Sequence, residues 1–549
     1  MCRKLLLPVL LLTCILISVS MPAFAQESRC LTTEWHQYKC QHEPGYKDRY
    51  ESGLNKTGHD FQFASVDSVV VIPVVVHVIS YNGTGKVSDE QIQSQIDVLN
   101  EDYSVLNATS LDIPAIWQGL TKDSYLRFTL AQRDPAGNPT TGIVHSEGKK
   151  ASYDIFDPSI YESDSGGQDA WPRNQYLNLW VCPLNGNALG YANYPGSAAN
   201  NDGVVISPRA FGRLGSSVEP YNYGRTASHE VGHWMSLNHI WGDDPASTPC
   251  SGKDFTNQEI NFGWDDTPNQ AQPTFRCKVF PALDDCATAS PGYMYMNYMD
   301  YTDDKCMMFF TAGQIKKVRS VINGLRDSLK YSTGHILPTP YGFDVALDSV
   351  ISPVRLANTR CFIPEVRLKN NGVDTVKSVQ IKYGLYAGLQ KAYNWTGTLA
   401  PMDTITIALP EIGAGDGNNV IEFRIAENDS NTVNNYRSSG FKVNGLTSED
   451  CESTGIIAYP NPLSQSNTIC IKAKKDVSQM AFVGLYNLLG QKIAEIETIV
   501  NPGDAISIPL INQAAGIYIA RISGDLYDES VKFIYLPGEN TVNGASTCN

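Results

Sequence analysis

HEVGHWMSLNH, residues 229–239, holds three histidines and a glutamate within eleven positions. His229 and His233 are four apart, so on an α-helix both imidazoles leave the same face and can share one cation. Imidazole suits Zn2+, and catalytic zinc usually takes three protein ligands and keeps a fourth position open to water. Glu230 stands beside such a metal and not on it, placed to take a proton from zinc-bound water and return it to a leaving amine. His239 lies six beyond His233, off the helical face. It reaches the metal only if the helix stops near Ser236 and the chain swings back. Such a turn favours positive φ, commonly supplied by glycine. Serine there costs about 1–2 kcal/mol, against about 10 kcal/mol from metal binding at a structural site. Ser236 therefore weakens the turn without disabling it. Glu259, in the polar stretch NQEINF, is the rival third ligand, but that stretch lacks helical periodicity.

At 549 residues the chain is too long for one ordinary core, and two to four domains are expected. Hydrophobic content of 42% and charged content of 18% describe folded globular material. A net charge of −15 argues against nucleic acid or an anionic membrane as main partner. Arg3 and Lys4 precede an apolar run from Leu5 to Val19, and Ala23-Phe24-Ala25 gives a small-x-small cleavage pattern. Residues 1–25 thus read as a secretory signal. The alternatives are an uncleaved anchor, for which the run is short, and a lipoprotein on Cys14, whose lead-in is poor. No later stretch is long and apolar enough to span a bilayer, so the expected mature protein is soluble and exported; a monomer is expected. Of 13 cysteines, Cys2 and Cys14 leave with the signal, and most of the rest can pair in an oxidising compartment. Spacing alone leaves the pairing open, including that of Cys40, Cys182, Cys361, Cys451, Cys470 and Cys548.

Residues 26–58 are polar, irregular and weakly patterned, as in a propeptide. Val69 to Ile79 is a nearly continuous Val/Ile run, the mark of a buried strand. Ser88 caps a helix, with Gln91 completing a capping box, Val87 and Ile92 as staple, and Ile92, Ile96 and Leu99 facing the core. Strands follow at 125–132, 176–181 and 203–206, with ALGYANYP (188–195) as an edge strand able to pair with an extended peptide. A last helix starts near Thr311, boxed with Gln314. This order indicates a mixed α/β domain over 59–335. Short alternating runs then predict an all-β sandwich over 341–446, and a second small β-module over 452–549.

Centred about sixty residues past His239 (294–304) comes MYMNYMDYTDD, rich enough in Met and Tyr to be core. Within it, NYMDY is similar to a Met-turn, in which Met299 floors the metal. Tyr301, two further on, stands where it can hydrogen-bond a tetrahedral oxyanion. Together IPVVVHVI, SDEQI, LNEDY, LNLWVCPL, HEVGHWMSLNHIWGDD, DDTPNQ and MNYMDYTDDKCM resemble the pappalysin family of metzincin metalloendopeptidases, in its shorter ulilysin-like members, over residues 28–330. The resemblance implies a metzincin fold: a twisted mixed sheet, a backing helix, a zinc-site helix and a Met-turn. It implies zinc on His229, His233 and His239, Glu230 as general base, and protein or peptide substrates. It also implies calcium near Asp254, Asp266 and Thr267, matched loosely, and disulfides Cys250–Cys286 and Cys277–Cys306 over the primed side of the cleft. RCLTTE is similar to the family's latency motif, so Cys30 would occupy zinc's fourth position in a zymogen. There Leu31-Thr32 stands where Gly-Thr is usual, and a Cys30–Cys40 disulfide is the alternative. Members that cut before arginine carry an acid at the pocket floor, and no match is identifiable near Met307. The C-terminal YPNP, LYNLLGQKI and GIYIARI look like the type A sorting domain of the type IX secretion system of Bacteroidetes. The preceding module resembles CARDB-like Ig folds. The expected product is therefore a secreted or surface-bound zinc endopeptidase. The rival is a surface binding protein whose peptidase domain is vestigial.

Overall fold

The computed structural model describes residues 29–60, 68–243 and 250–444 apart from 251–253, 256, 427–428 and 430, and residues 456–535 apart from 460–462, 464–466, 474–478, 489, 502–504, 511–512 and 525–527. The signal at 1–25 lies outside the described residues. Among them, no helix is long and apolar enough to cross a membrane.

The chain opens with two helices, α1 (Thr32–His42) and α2 (Tyr46–Asp60). The expectation of an irregular propeptide fails here. α1 lacks a side-chain cap and has no apolar stripe; it is held by burying Trp35 and Lys39 against the next domain. Contacts that distant carry no local sequence signal.

β1 (Val70–Ser80) runs through the centre of a six-stranded sheet and is buried along nearly its whole length. It pairs in parallel with β2 (Leu126–Leu130), β3 (Ile143–Glu147) and β4 (Leu177–Val181). β6 (Gly203–Ile206) adds in parallel to β4, and β5 (Gly190–Ala192) closes that edge antiparallel to β6. β3 is missing from the sequence reading; its residues are partly exposed and carry no alternation.

α3 (Asp89–Tyr103) backs the sheet, with Ile92, Ile96, Leu99 and Tyr103 in the main core. Ser88 caps it by accepting from the Gln91 amide at 3.2 Å. The predicted box is only half made, because the Gln91 side chain instead donates to the Phe211 carbonyl at 2.9 Å. Tertiary partners outcompeted the local one. After the short α4 (Ala115–Gln118) come α5 (Arg225–Trp234), the short α6 (Asn257–Asn261) and α7 (Ala312–Asn323). α7 has the complete Thr311–Gln314 capping box.

Among the described residues beyond 344, all the long elements are strands. Residues 345–443 form sheets of three and five strands with a two-stranded pair, and residues 456–535 form sheets of three and four. Each region has its own apolar core. The mixed α/β domain is thus followed by all-β domains.

Candidate metal centre and substrate cleft

α5 ends at Trp234, and the chain reverses through a left-handed residue. Ser236 has φ +72°, the value the motif demands of a glycine. The Ser236 amide donates to the His233 carbonyl at 2.8 Å and the Leu237 amide to the Gly232 carbonyl at 2.9 Å. This bond pair is a Schellman ending, and it carries His239 back to the face it had left. Arg326 fixes the same helix end: its Nε donates to the Trp234 carbonyl at 3.1 Å and its guanidinium covers the indole.

The three imidazoles converge. Their Nε2 atoms lie 3.0, 3.1 and 3.3 Å apart. Each Nδ1 has an acceptor: the Tyr298 carbonyl for His229 (2.6 Å), the Leu237 carbonyl for His233 (2.7 Å), and the Asp243 carboxylate for His239. The protons therefore sit on Nδ1, and three bare lone pairs face one point. Burial holds His229 and His233 well below the usual imidazole pKa, in the neutral ligand form. Such a triad fits zinc. The floor is Met299, fully buried; a Cβ on Gly232 would stand 2.6 Å from its sulfur, which explains a glycine mid-helix. Glu259 is absent from the cluster and pairs with Lys317 instead.

Glu230 is buried beside the triad, and burial raises its carboxyl to about 7. A Cβ on Gly190 would meet the Glu230 side chain at 3.1 Å, so β5 can lie against the carboxylate only as glycine. Residues 30–32 occupy this gap. Cys30 Sγ joins the three histidine nitrogens in one group, all within 4.8 Å. Cys30 and Cys40 are both free, which removes the alternative disulfide. Cys30 Sγ and Thr32 Oγ1 donate to Glu230 Oε2 at 3.4 and 2.9 Å. Tyr301 donates its hydroxyl to the Cys30 carbonyl at 3.0 Å, and burial keeps that phenol far above its ordinary pKa. The edge strand does receive an extended segment: Cys30 pairs with Gly190, in parallel.

Arg29 enters a buried pocket beside the metal centre. Its guanidinium pairs with Asp304, donates to the Thr302 carbonyl, lies 3.4 Å from the Met307 sulfur and faces the Tyr221 ring. Asp304 Oδ2 is held by the amides of Tyr223 and Arg225, each at 3.1 Å. Asp304 is thus a buried acid close to Met307, where the sequence analysis identifies none. In YTDDKC nothing local separates buried Asp304 from its neighbour Asp303.

Disulfides Cys250–Cys286 and Cys277–Cys306 are both present. Cys361 and Cys470 are disulfide-bonded as well, and Cys182 is free. Thr267 donates to Asp254 at 2.7 Å, while Asp266 accepts from the Gly313 amide at the start of α7. Asp254 is almost wholly buried, which raises its carboxyl to about 8, and Asp266 Oδ1 is buried with no hydrogen-bond partner. Both are oxygen donors suited to a hard cation.

A triad of this kind within this sheet and Met-turn is what defines zinc metalloendopeptidases of the metzincin class. A family model described as Pregnancy-associated plasma protein-A matches residues 161–323, and one described as Secretion system C-terminal sorting domain matches residues 457–535. Among solved structures, a Tannerella forsythia promirolysin mutant is 40% identical, covering 57% of this chain and 100% of that one with a TM-score of 0.51. Mature mirolysin from the same organism, in complex with a cleaved peptide, is 44% identical over 50% of this chain and 100% of that one, with a TM-score of 0.47. An extracellular metalloprotease of Arthroderma gypseum is 29% identical over 55% of this chain and 88% of its own length. The chain belongs to the pappalysin family. Its C-terminal sorting domain directs it through type IX secretion to the cell surface or beyond.

Proposed function

We infer that this chain is a zymogen of a zinc endopeptidase that cuts proteins on the amino side of basic residues, arginine above all. The observation that carries the reading is the joint occupancy of one cleft: Cys30 over three converging Nε2 atoms, and Arg29 against Asp304. Zinc would be held by His229, His233 and His239, and the chemistry it supplies when bound is Lewis acidity toward water and a carbonyl.

The chain's own groups do the rest. Glu230 takes the proton of the attacking water and passes it to the leaving amine. Tyr301 donates to the oxygen of the tetrahedral intermediate, as it donates to the Cys30 carbonyl in the latent form. Met299 sets the apolar floor. When residues 26–58 leave, Asp304 is a buried carboxylate without its countercharge, and an incoming guanidinium restores it. Asp254, Asp266 and Thr267 serve as a calcium site that steadies the segment before α7.

The domain plan that fits is a signal at 1–25, a latency segment at 26–58, the peptidase at 59–335, and β-sandwiches at 341–446 and 452–549, the second for sorting. The test is Glu230→Ala. It should retain fold and stoichiometric zinc while losing at least about 100-fold in peptide hydrolysis; full activity in this variant would overturn the mechanism. Zinc analysis with casein cleavage, with and without chelator, separates the enzyme from a binding protein with a relic site.

A further inference from the structure

The first all-β domain meets the peptidase at Glu90 and Asp112, along α3, and at the wall of the arginine pocket. That wall is segment 213–225: Tyr221 faces Arg29, the Pro220 carbonyl accepts from the Asp304 amide, and the Tyr223 and Arg225 amides hold Asp304 Oδ2. Three points of the wall are gripped from the β-domain. Arg213 donates to Ser438 Oγ at 3.1 Å and to the Ser438 carbonyl at 3.3 Å. The Gly215 amide donates to the Tyr386 hydroxyl at 3.2 Å. The Tyr223 side chain meets Asn418, and both line a cavity of about 180 Å³ at this junction.

The grip is anchored on α3 as well. Arg213 makes a two-pronged pair with Glu101, at 2.7 and 2.8 Å. Glu101 also accepts from the Gly440 amide at 3.1 Å, and buried Asp97 accepts from the Ser438 amide at 2.8 Å and its hydroxyl at 3.0 Å. Lone buried carboxylates are costly, and here the strand Tyr436–Val443 supplies their donors. A detachable spacer has no need of such a contact.

We propose that the domain at 345–443 stays with the mature enzyme and acts as a brace, fixing wall 213–225 so that the pocket ending at Asp304 keeps its shape when Arg29 has gone. This rests on the arginine assignment above. Tyr386, Asn418 and Ser438 are positioning residues: they touch the wall and never the substrate.

The test uses the full secreted enzyme carrying Tyr386→Phe, Asn418→Ala and Ser438→Ala together, with exposed Met402→Ser as control on the same domain. Amide hydrogen exchange in residues 213–225 should quicken at least fivefold in the triple variant. KM for a peptide with arginine after the scissile bond should rise about fivefold while kcat stays within twofold. The control should change neither, and the mature protein's mass should include residues up to 443. Unchanged exchange in the wall, or a mature enzyme lacking residues 345–443, would overturn the brace. If exchange quickens but the wild-type enzyme shows no preference for arginine, the brace stands and the arginine assignment falls.

Discussion

At the scale of single residues, Ser236 carries the clearest cost. It sits at φ +72° where glycine is at ease, and its buried hydroxyl finds no hydrogen-bond partner among the described residues. Strain of about 1–2 kcal/mol and the unmet hydroxyl together outweigh the extra chain entropy that glycine loses on folding. Ser236→Gly should therefore stabilise the protein by about 1 kcal/mol in urea unfolding at matched zinc; a loss of stability would show that the turn is not strained. Asp304 makes a different prediction. Replacing it with asparagine removes the charge that meets a guanidinium but keeps a side-chain oxygen to accept from the Tyr223 and Arg225 amides. Cleavage before arginine should fall about 10–100-fold in kcat/KM, as expected for losing a charge-assisted bond, while cleavage before an uncharged residue changes little. Equal losses on both substrates would remove Asp304 from specificity.

At the scale of elements, the proposed pro-segment is a clamp in two parts. Residues 29–32 block the cleft, and α1 ties the block down. Lys39 is the buried tie: its ammonium donates to Asn193 Oδ1 at 2.8 Å and Ser197 Oγ at 2.6 Å, beneath the rings of Trp35 and Tyr46. Burial lowers its pKa to about 7, against the pull of Glu43, Asp202 and Cys40, while Arg49 pushes the same way as burial. Between about 7 and the ordinary lysine value the released segment holds more protons than the docked one. Docking therefore tightens as pH rises through that window, and this group adds nothing further below 7. A synthetic 26–58 peptide should inhibit the mature enzyme more strongly at pH 9 than at pH 7. Lys39→Met should flatten that slope, and an unaltered slope would exclude Lys39 as its source. The parallel pairing of Cys30 with Gly190 belongs to this scale too, since β5 offers its free edge to whichever segment arrives.

At the scale of the whole molecule, the pocket is assembled from parts far apart in the chain. Cys306 lies two residues after Asp304, and its bond to Cys277 closes a separation of 29 residues. Removing both cysteines as Cys277→Ala and Cys306→Ala should cost about 3 kcal/mol of stability and loosen the preference for arginine; a stable, equally selective variant would show the loop held by packing alone. Much of this molecule was already written locally. The spacing of His229, Glu230 and His233 is a property of one helix, the Val/Ile run of β1 is a property of one strand, and the Thr311–Gln314 box closes within four residues. Motifs of that kind obey short-range geometry, so the sequence by itself determined the histidine spacing, the central strand and the passage from an α/β region to all-β regions. Other features depend on partners hundreds of positions away. The helices of the pro-segment, the depth of Asp304, the Arg29 that meets it and the grip of Ser438 on Arg213 are such cases. There the deciding quantity is burial, which no window of residues contains. Only the tertiary structure could bring those charges together and bury one aspartate of TDDKC completely while leaving its neighbour half-buried.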